Sequence, residues 1–109
     1  MTLADKTCTP CRGGVPPLVT EEITQLLQQV PEWVHLQHPD RICRRYPFKN
    51  FVEALDFVNR VGALCESEGH HADIQVGWGY AEVVFYTHKI KGLHENDFIM
   101  AARCDDLLK

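Results

Sequence analysis

The stretch from Asn50 to Tyr86, NFVEALDFVNRVGALCESEGHHADIQVGWGYAEVVFY, changes its apolar period part-way along and thereby sets the fold class. Phe51, Leu55, Val58, Val61, Gly62 and Cys65 recur at helical spacing and form one apolar stripe. Asn50 stands just before them with Glu53 three residues on, the pattern of a capping box, so a helix is expected over residues 50–66. Gly69 follows where the chain must leave that helix. From Ile74 the period falls to two. Ile74 and Val76 alternate with Asp73 and Gln75, Gly77-Trp78-Gly79 breaks the run, and Ala81, Val83 and Phe85 alternate with Glu82, Val84 and Tyr86. That is the pattern of a β-hairpin.

Working outward, the same order appears upstream. Thr20 suits an N-cap, with Glu21 and Glu22 in the first turn, where the helix dipole favours acids. Ile23, Leu26, Leu27 and Val30 follow at helical spacing and Pro31 closes the segment, which predicts a helix over 20–29. Trp33 to Leu36 and Ile42 to Tyr46 flank the turn-prone His38-Pro39-Asp40 and read as a first hairpin. Downstream, Leu93 and Phe98 have the spacing of a hydrophobic staple around a cap at His94, with Asp97 at the N3 position, and open a third helix running to about Leu107. The order α-β-β-α-β-β-α implies an α+β domain, a four-stranded antiparallel sheet with three helices packed on one face. Residues 1–17, rich in Pro, Gly and Thr, read as a flexible, exposed N-terminal arm and residues 18–109 as the domain. The opposite sheet face or an edge is left for subunit contacts, so a homo-oligomer is expected.

The 109 residues fit one domain, and 45% hydrophobic with 24% charged residues is an ordinary globular balance. A formal net charge of −4 lacks the electrostatic footprint of a direct nucleic-acid binder. The one basic cluster, Arg41 to Arg45, reads as decoration of a solvated face. No apolar run approaches the ~20 residues of a membrane span, and the first residues carry no apolar core of a secretory signal. Five cysteines without a disulfide-like framework fit reduced thiols and a cytoplasmic protein. Cys8-Thr9-Pro10-Cys11 supplies half of a zinc site with no second pair to complete it, and a Gly- and Pro-rich run follows. It reads as part of the arm, with a metal or redox role as the alternative.

Among six histidines, His70 and His71 are adjacent directly after a helix, and His88 ends a strand that a hairpin can return beside them. Imidazoles titrate near neutrality, so three in one cleft can share general acid and base duties. Glu66, Glu68, Asp73 and Asp97 stand close in sequence as acidic partners. Two solvated loop histidines and an unrelated strand-end histidine is the competing reading, and the spacing alone leaves both open. A metal site built from the three imidazoles is the further rival, disfavoured because adjacent residues in extended chain point apart. His35 and His38 are expected to face solvent, and His94 to cap a helix.

The segment Glu66-Ser-Glu-Gly-His-His-Ala-Asp-Ile74, followed by Thr87-His-Lys-Ile-Lys-Gly-Leu-His-Glu-Asn-Asp-Phe98, resembles the pterin-4a-carbinolamine dehydratase family. That family's signature is a His-His pair, usually followed by Pro, then a Thr-His and a Gly-Leu-x-x-x-Asp helix start. The likeness extends through Trp33, Phe51, Ala54, Phe57 and the C-terminal helix, over residues 18–107. Ala72 stands where the family usually has Pro, Gly69 replaces a commonly polar residue, and His94 takes a cap position often held by Ser or Thr.

The resemblance implies a hydro-lyase that eliminates water from a 4a-hydroxy-tetrahydropterin to give quinonoid dihydropterin, in support of tetrahydrobiopterin recycling. It implies His70 and His71 as acids toward the hydroxyl, His88 as the base, and no cofactor or metal. Glu66 and Asp97 are implied as orienting neighbours, with Ala72, Thr87 and Lys89 bordering the pterin. Asp97 fits equally well as a plain N3 helix acid. An aromatic amino acid hydroxylase or a transcription factor is implied as partner, while the open sheet edges lead to the expectation of a homodimer or homotetramer. A binding module, or an idle relative in a molybdopterin pathway, are the other readings.

Overall fold

A computed structural model of the chain describes residues 2–9 and 15–109. The elements run α1 (Thr20–Leu27), β1 (Val34–Leu36), β2 (Arg41–Pro47), α2 (Phe51–Glu68), β3 (Asp73–Gly77), β4 (Tyr80–Phe85) and α3 (Glu95–Asp106), with 3-10 turns at Leu3–Asp5 and His88–Ile90. This is the α-β-β-α-β-β-α order expected from the sequence. The four strands form one antiparallel sheet in the order β1-β2-β4-β3, so β2 and β4 are central and β1 and β3 are edges.

The period-2 pattern of β4 becomes a two-sided strand. Ala81, Val83 and Phe85 are fully buried while Tyr80, Glu82 and Val84 are half-buried on the other face. Ile42 lies opposite Phe85 and Tyr46 opposite Ala81, which continues the buried face into β2. The hairpin joining β3 to β4 turns at Gly79 with φ +82°, and its tip lifts Trp78 into solvent, 74% exposed.

Asn50 caps α2 as expected, its side chain accepting from the Glu53 N–H at 2.9 Å. The face that α2 buries matches the expected stripe at Val61 and Cys65 and differs from it in the first half of the helix. Ala54, Phe57, Val61 and Cys65 are buried, whereas Phe51, Val52 and Leu55 remain exposed. The helix carries two apolar stripes, and a periodicity count cannot say which of two neighbouring stripes meets the sheet. At α1 the cap shifts by one residue. Val19 occupies the cap, its N–H donates to the Glu22 carboxylate at 3.0 Å, and Thr20 is already helical. Leu93 and Phe98 are both fully buried on either side of His94, as a staple requires.

The N-terminal segment departs from the extended, exposed arm that its composition suggests. Residues Leu3–Asp5 form a 3-10 turn, Leu3 is 3% exposed within the core cluster, and the Thr9 backbone exchanges two hydrogen bonds with the Asn96 side chain. One leucine in a segment without period gives no pattern to read, yet its burial alone is worth ~2 kcal/mol. Cys11, and with it half of the Cys8-x-x-Cys11 pattern, lies outside the described residues.

The C-terminal end of α3 is pinned by Asp105. Its carboxylate accepts from Trp33 Nε1 at 3.1 Å, Arg44 Nη1 at 2.8 Å and Tyr46 Oη. Burial, then the bond to Asp105, pushes the Tyr46 phenol well above its ordinary range. Replacing Asp105 with Ala orphans three donors and is expected to cost about 2–3 kcal/mol. Urea melts of D105A and D105N check this, with the amide variant losing less because it keeps one acceptor oxygen.

Candidate active site

His70 owes its place to Gly69. The glycine ends α2 in the left-handed region, φ +64°, and its N–H donates to the Cys65 carbonyl. The His70 N–H donates to the same carbonyl at 3.2 Å, so the chain turns sharply off the helix. The imidazole is thereby directed inward, 9% exposed, and stacks on Phe85 with ring centroids 6.2 Å apart.

Its partner is Asp97, which is wholly buried. Asp97 Oδ1 accepts from His70 Nε2 at 2.7 Å, while Oδ2 accepts from Thr87 Oγ1 at 2.8 Å and from the His94 N–H at 2.9 Å. The last bond is the capping-box bond of an N3 acid, and the first two reach the cleft. One carboxylate thus serves as the N3 acid of α3 and as the hydrogen-bond partner of His70. With Nε2 given to Asp97, Nδ1 is the ring nitrogen of His70 on the side away from that carboxylate. His94 closes the cap from the other side, its Nδ1 accepting from the Asn96 N–H at 3.0 Å.

His71 faces elsewhere. It is exposed, and its Nε2 meets the Glu66 carboxylate one turn back on α2. His88 is exposed at the start of the 3-10 turn, with its ring 4.0 Å from that of Tyr86. Thr87 and Gly92 pair across the base of this turn, the Thr87 N–H donating to the Gly92 carbonyl at 2.8 Å. These segments enclose an open cleft of about 210 Å³ lined by Gly69, His70, His71, Tyr86, Thr87, His88 and Lys89.

The three singled-out histidines thus share one cleft with Thr87 and Lys89. Asp97 lies beneath it and Glu66 outside it on the His71 side. Ala72 is turned away, packed against the core, with its backbone N–H beside the Cys65 sulfur. Besides Gly69, expected only as a helix end, Tyr86 is a lining residue that sequence reading missed. It follows the alternation of β4 and nothing in its spacing distinguishes it from a solvent-facing strand residue. Of the other histidines, His38 is exposed as expected, whereas His35 is half-buried and held 2.8 Å from Asp40.

A larger cavity of about 440 Å³ lies between the N-terminal turn and the end of α3, lined by Leu3, Gln29, Ala102, Asp105, Asp106 and Lys109 among others. It holds no histidine, and Asp105 is already committed to Trp33, Arg44 and Tyr46. Size gives way to chemistry here, and the smaller cleft is the candidate site. Among the described residues, no three His, Cys, Asp or Glu side chains are grouped to hold a metal ion.

The match to the family model described as pterin 4 alpha carbinolamine dehydratase covers residues 16–107. A protein of Methylococcus capsulatus is 58% identical over 97% of this chain and 93% of its own length. One of Halorhodospira halophila is 56% identical over 98% of each. Both bear the name "Putative pterin-4-alpha-carbinolamine dehydratase". A crystal structure of a transcriptional coactivator/pterin dehydratase from Brucella melitensis shares the fold, with TM-score 0.80 at 24% identity, over 85% of this chain and 99% of that one. The chain belongs to the pterin-4-alpha-carbinolamine dehydratase family, a family of hydro-lyases.

The thiols near the site are set against reactivity. Burial, with the Glu68 carboxylate adding to it, pushes the Cys8 thiol up to about 12, and burial likewise raises Cys65. A raised value leaves less thiolate near neutrality, the opposite of what a redox or metal-ligand cysteine needs. Iodoacetamide at pH 7.5 is expected to leave Cys8 and Cys65 unmodified in the native protein and to label both in urea. Peptide mass spectrometry reads the result, and fast native labelling of Cys8 would restore the redox alternative.

Proposed function

We propose that this protein dehydrates a 4a-hydroxy-tetrahydropterin to the quinonoid dihydropterin in the cytoplasm, in support of tetrahydrobiopterin recycling. The observation that carries the reading is the gathering of His70, His71 and His88 around one cleft, with His70 anchored on a buried carboxylate, in a member of this family. The reaction breaks the C4a–O bond and removes a proton from a ring nitrogen. Hydroxide is a poor leaving group, so an acid must protonate it as it departs, and a base must take the nitrogen proton. Loss of water is neither an oxidation nor a reduction overall, so no redox cofactor enters the balance.

His70 and His71 are assigned as acids toward the hydroxyl on the two ring faces and His88 as the base. Asp97 holds His70 by its Nε2, and Glu66 holds His71 by the same atom. Thr87, itself bonded to Asp97, and Lys89 border the pterin, with Ala72 behind the pair. Tyr86 joins them, because a ring 4.0 Å from that of His88 limits how the imidazole can tilt.

Purified protein should accelerate loss of a freshly generated 4a-hydroxy-tetrahydropterin, followed by absorbance in the first seconds. His70→Ala or His71→Ala should each impair one stereoisomer more than the other, and His88→Gln should slow both, by ~10²–10⁴-fold for a positioned acid or base. Wild-type rates in a folded His88→Gln protein would sink the assignment. Activity should survive exhaustive chelation, and loss that added zinc restores would favour a metal site instead.

Assembly into a homodimer or homotetramer belongs to the same proposal. Among the described residues, β1 and β3 are the edge strands of the sheet, and α2 exposes Phe51, Val52 and Leu55 together. Such a stripe is costly to leave in water and suits contact with a second copy. Light scattering of Leu55→Glu against the unmodified protein tests this, with a smaller particle expected from the variant.

A further inference from the structure

The bond between His70 and Asp97 joins two elements that lie far apart in the chain. His70 follows the end of α2, and Asp97 sits in the first turn of α3. Residues 6–9, upstream of the family match at residue 16, bridge those two ends. The Cys8 N–H donates to Glu68 Oε1 at 3.0 Å, and Glu68 is the last residue of α2, two before His70. The same oxygen is 3.0 Å from Arg103 Nη1 on α3. One residue further along the strap, the Thr9 N–H donates to Asn96 Oδ1 at 3.0 Å, and Asn96 Nδ2 donates back to the Thr9 carbonyl at 2.7 Å. Asn96 is 1% exposed and immediately precedes Asp97. Lys6 and Glu95 add an outer pair at 3.2 Å.

We propose that Glu68 and Asn96 are positioning residues for the dehydration, which hold His70 against Asp97 by clasping the N-terminal segment Lys6–Thr9. The proposal rests on the reading of His70 as a reacting group. Neither residue faces the cleft, so their effect passes through the geometry of the His70–Asp97 pair. Two features make the clasp more than a tether. Asn96 spends its buried amide on the strap backbone, a pairing that satisfies donor and acceptor at once. Glu68 receives the Cys8 N–H and Arg103 together, and the Cys8 bond, the larger influence, holds its carboxyl below the usual range. A displacement of order 1 Å at a reacting group costs ~10²-fold in rate, so a clasp one residue before Asp97 and two before His70 has leverage.

The test uses the full chain with Asn96→Ala, Glu68→Ala and Glu68→Gln. Asn96→Ala and Glu68→Ala are expected to lower kcat by about 10- to 100-fold with KM within about twofold. Glu68→Gln should recover part of the loss, because its amide oxygen still accepts from Cys8. In an Asp97→Asn background the same substitutions should cost less than about twofold more, since residues that act through one contact are not additive. The Nε2-bound proton of His70, assigned by its disappearance in His70→Gln, should give a protected imidazole line in ¹⁵N–¹H spectra and broaden by exchange in Asn96→Ala and Glu68→Ala.

Folded variants with unchanged kcat, losses that multiply with Asp97→Asn, or an unperturbed His70 line would each overturn the proposal and leave the segment a simple brace. Should Asn96→Ala fail to fold, the Glu68 pair decides the matter alone. Should the unmodified protein not dehydrate the pterin, the proposed function fails, while the His70 line still decides whether the clasp holds the pair.

Discussion

Asp97 is a carboxylate with no exposure to water, and the site region is built around the need to satisfy it. A buried charge without partners costs several kcal/mol, so its three bonds are obligations of the fold. They come from just past the end of β4 through Thr87, from the helix cap through the His94 N–H, and from the loop after α2 through His70. One side chain thus fixes the meeting point of a strand, a helix start and a helix end. With Asp97 at 0% and His70 at 9% exposure, and Phe85 stacked on the imidazole, the His70 bond is hard to replace with water.

The same helix is held at its other end by a second carboxylate of different character. Asp105 draws together Trp33, Arg44 and Tyr46, from the first hairpin and the segment before it, in a part of the molecule with no candidate chemistry. The two acids divide the labour along α3, one holding the His70 ring and the other locking helix to sheet. The N-terminal segment adds a third attachment near the first. Its described residues reach the α3 start and the α2 end.

Period and capping made most of this architecture legible. The change from helical to alternate spacing near Gly69, the Asn50 cap and the His94 cap with its flanking Leu93 and Phe98 all depend on neighbours close in sequence, and all appear in the structure. The strands were placed to within a residue or two because burial on one face demands alternation. Three things were hidden for physical reasons. Two adjacent apolar stripes on α2 look alike until the sheet selects Ala54 and Phe57 over Phe51 and Leu55. The docking of Leu3 and Thr9 depends on partners some ninety residues away, beyond any local pattern. The place of Tyr86 in the cleft depends on where β4 ends, which its own residue type does not encode. The adjacency of His70 and His71 suggested that they point apart, and their separate partners, Asp97 and Glu66, show how the chain accommodates this.

The two tryptophans sit in opposite environments, and this gives the molecule a built-in pair of optical probes. Trp33 is buried against Tyr46 and Phe85 with its indole N–H held by Asp105, whereas Trp78 stands in solvent at the tip of the β3–β4 hairpin. An indole in an apolar pocket emits to the blue of one in water, so the emission band is a composite whose two parts respond to different events. A collisional quencher such as iodide removes the Trp78 component first and leaves light that originates beside the Asp105 lock. Changes at the sheet's outer turn and changes at the seam between α3 and the sheet can therefore be followed separately in the unlabelled protein.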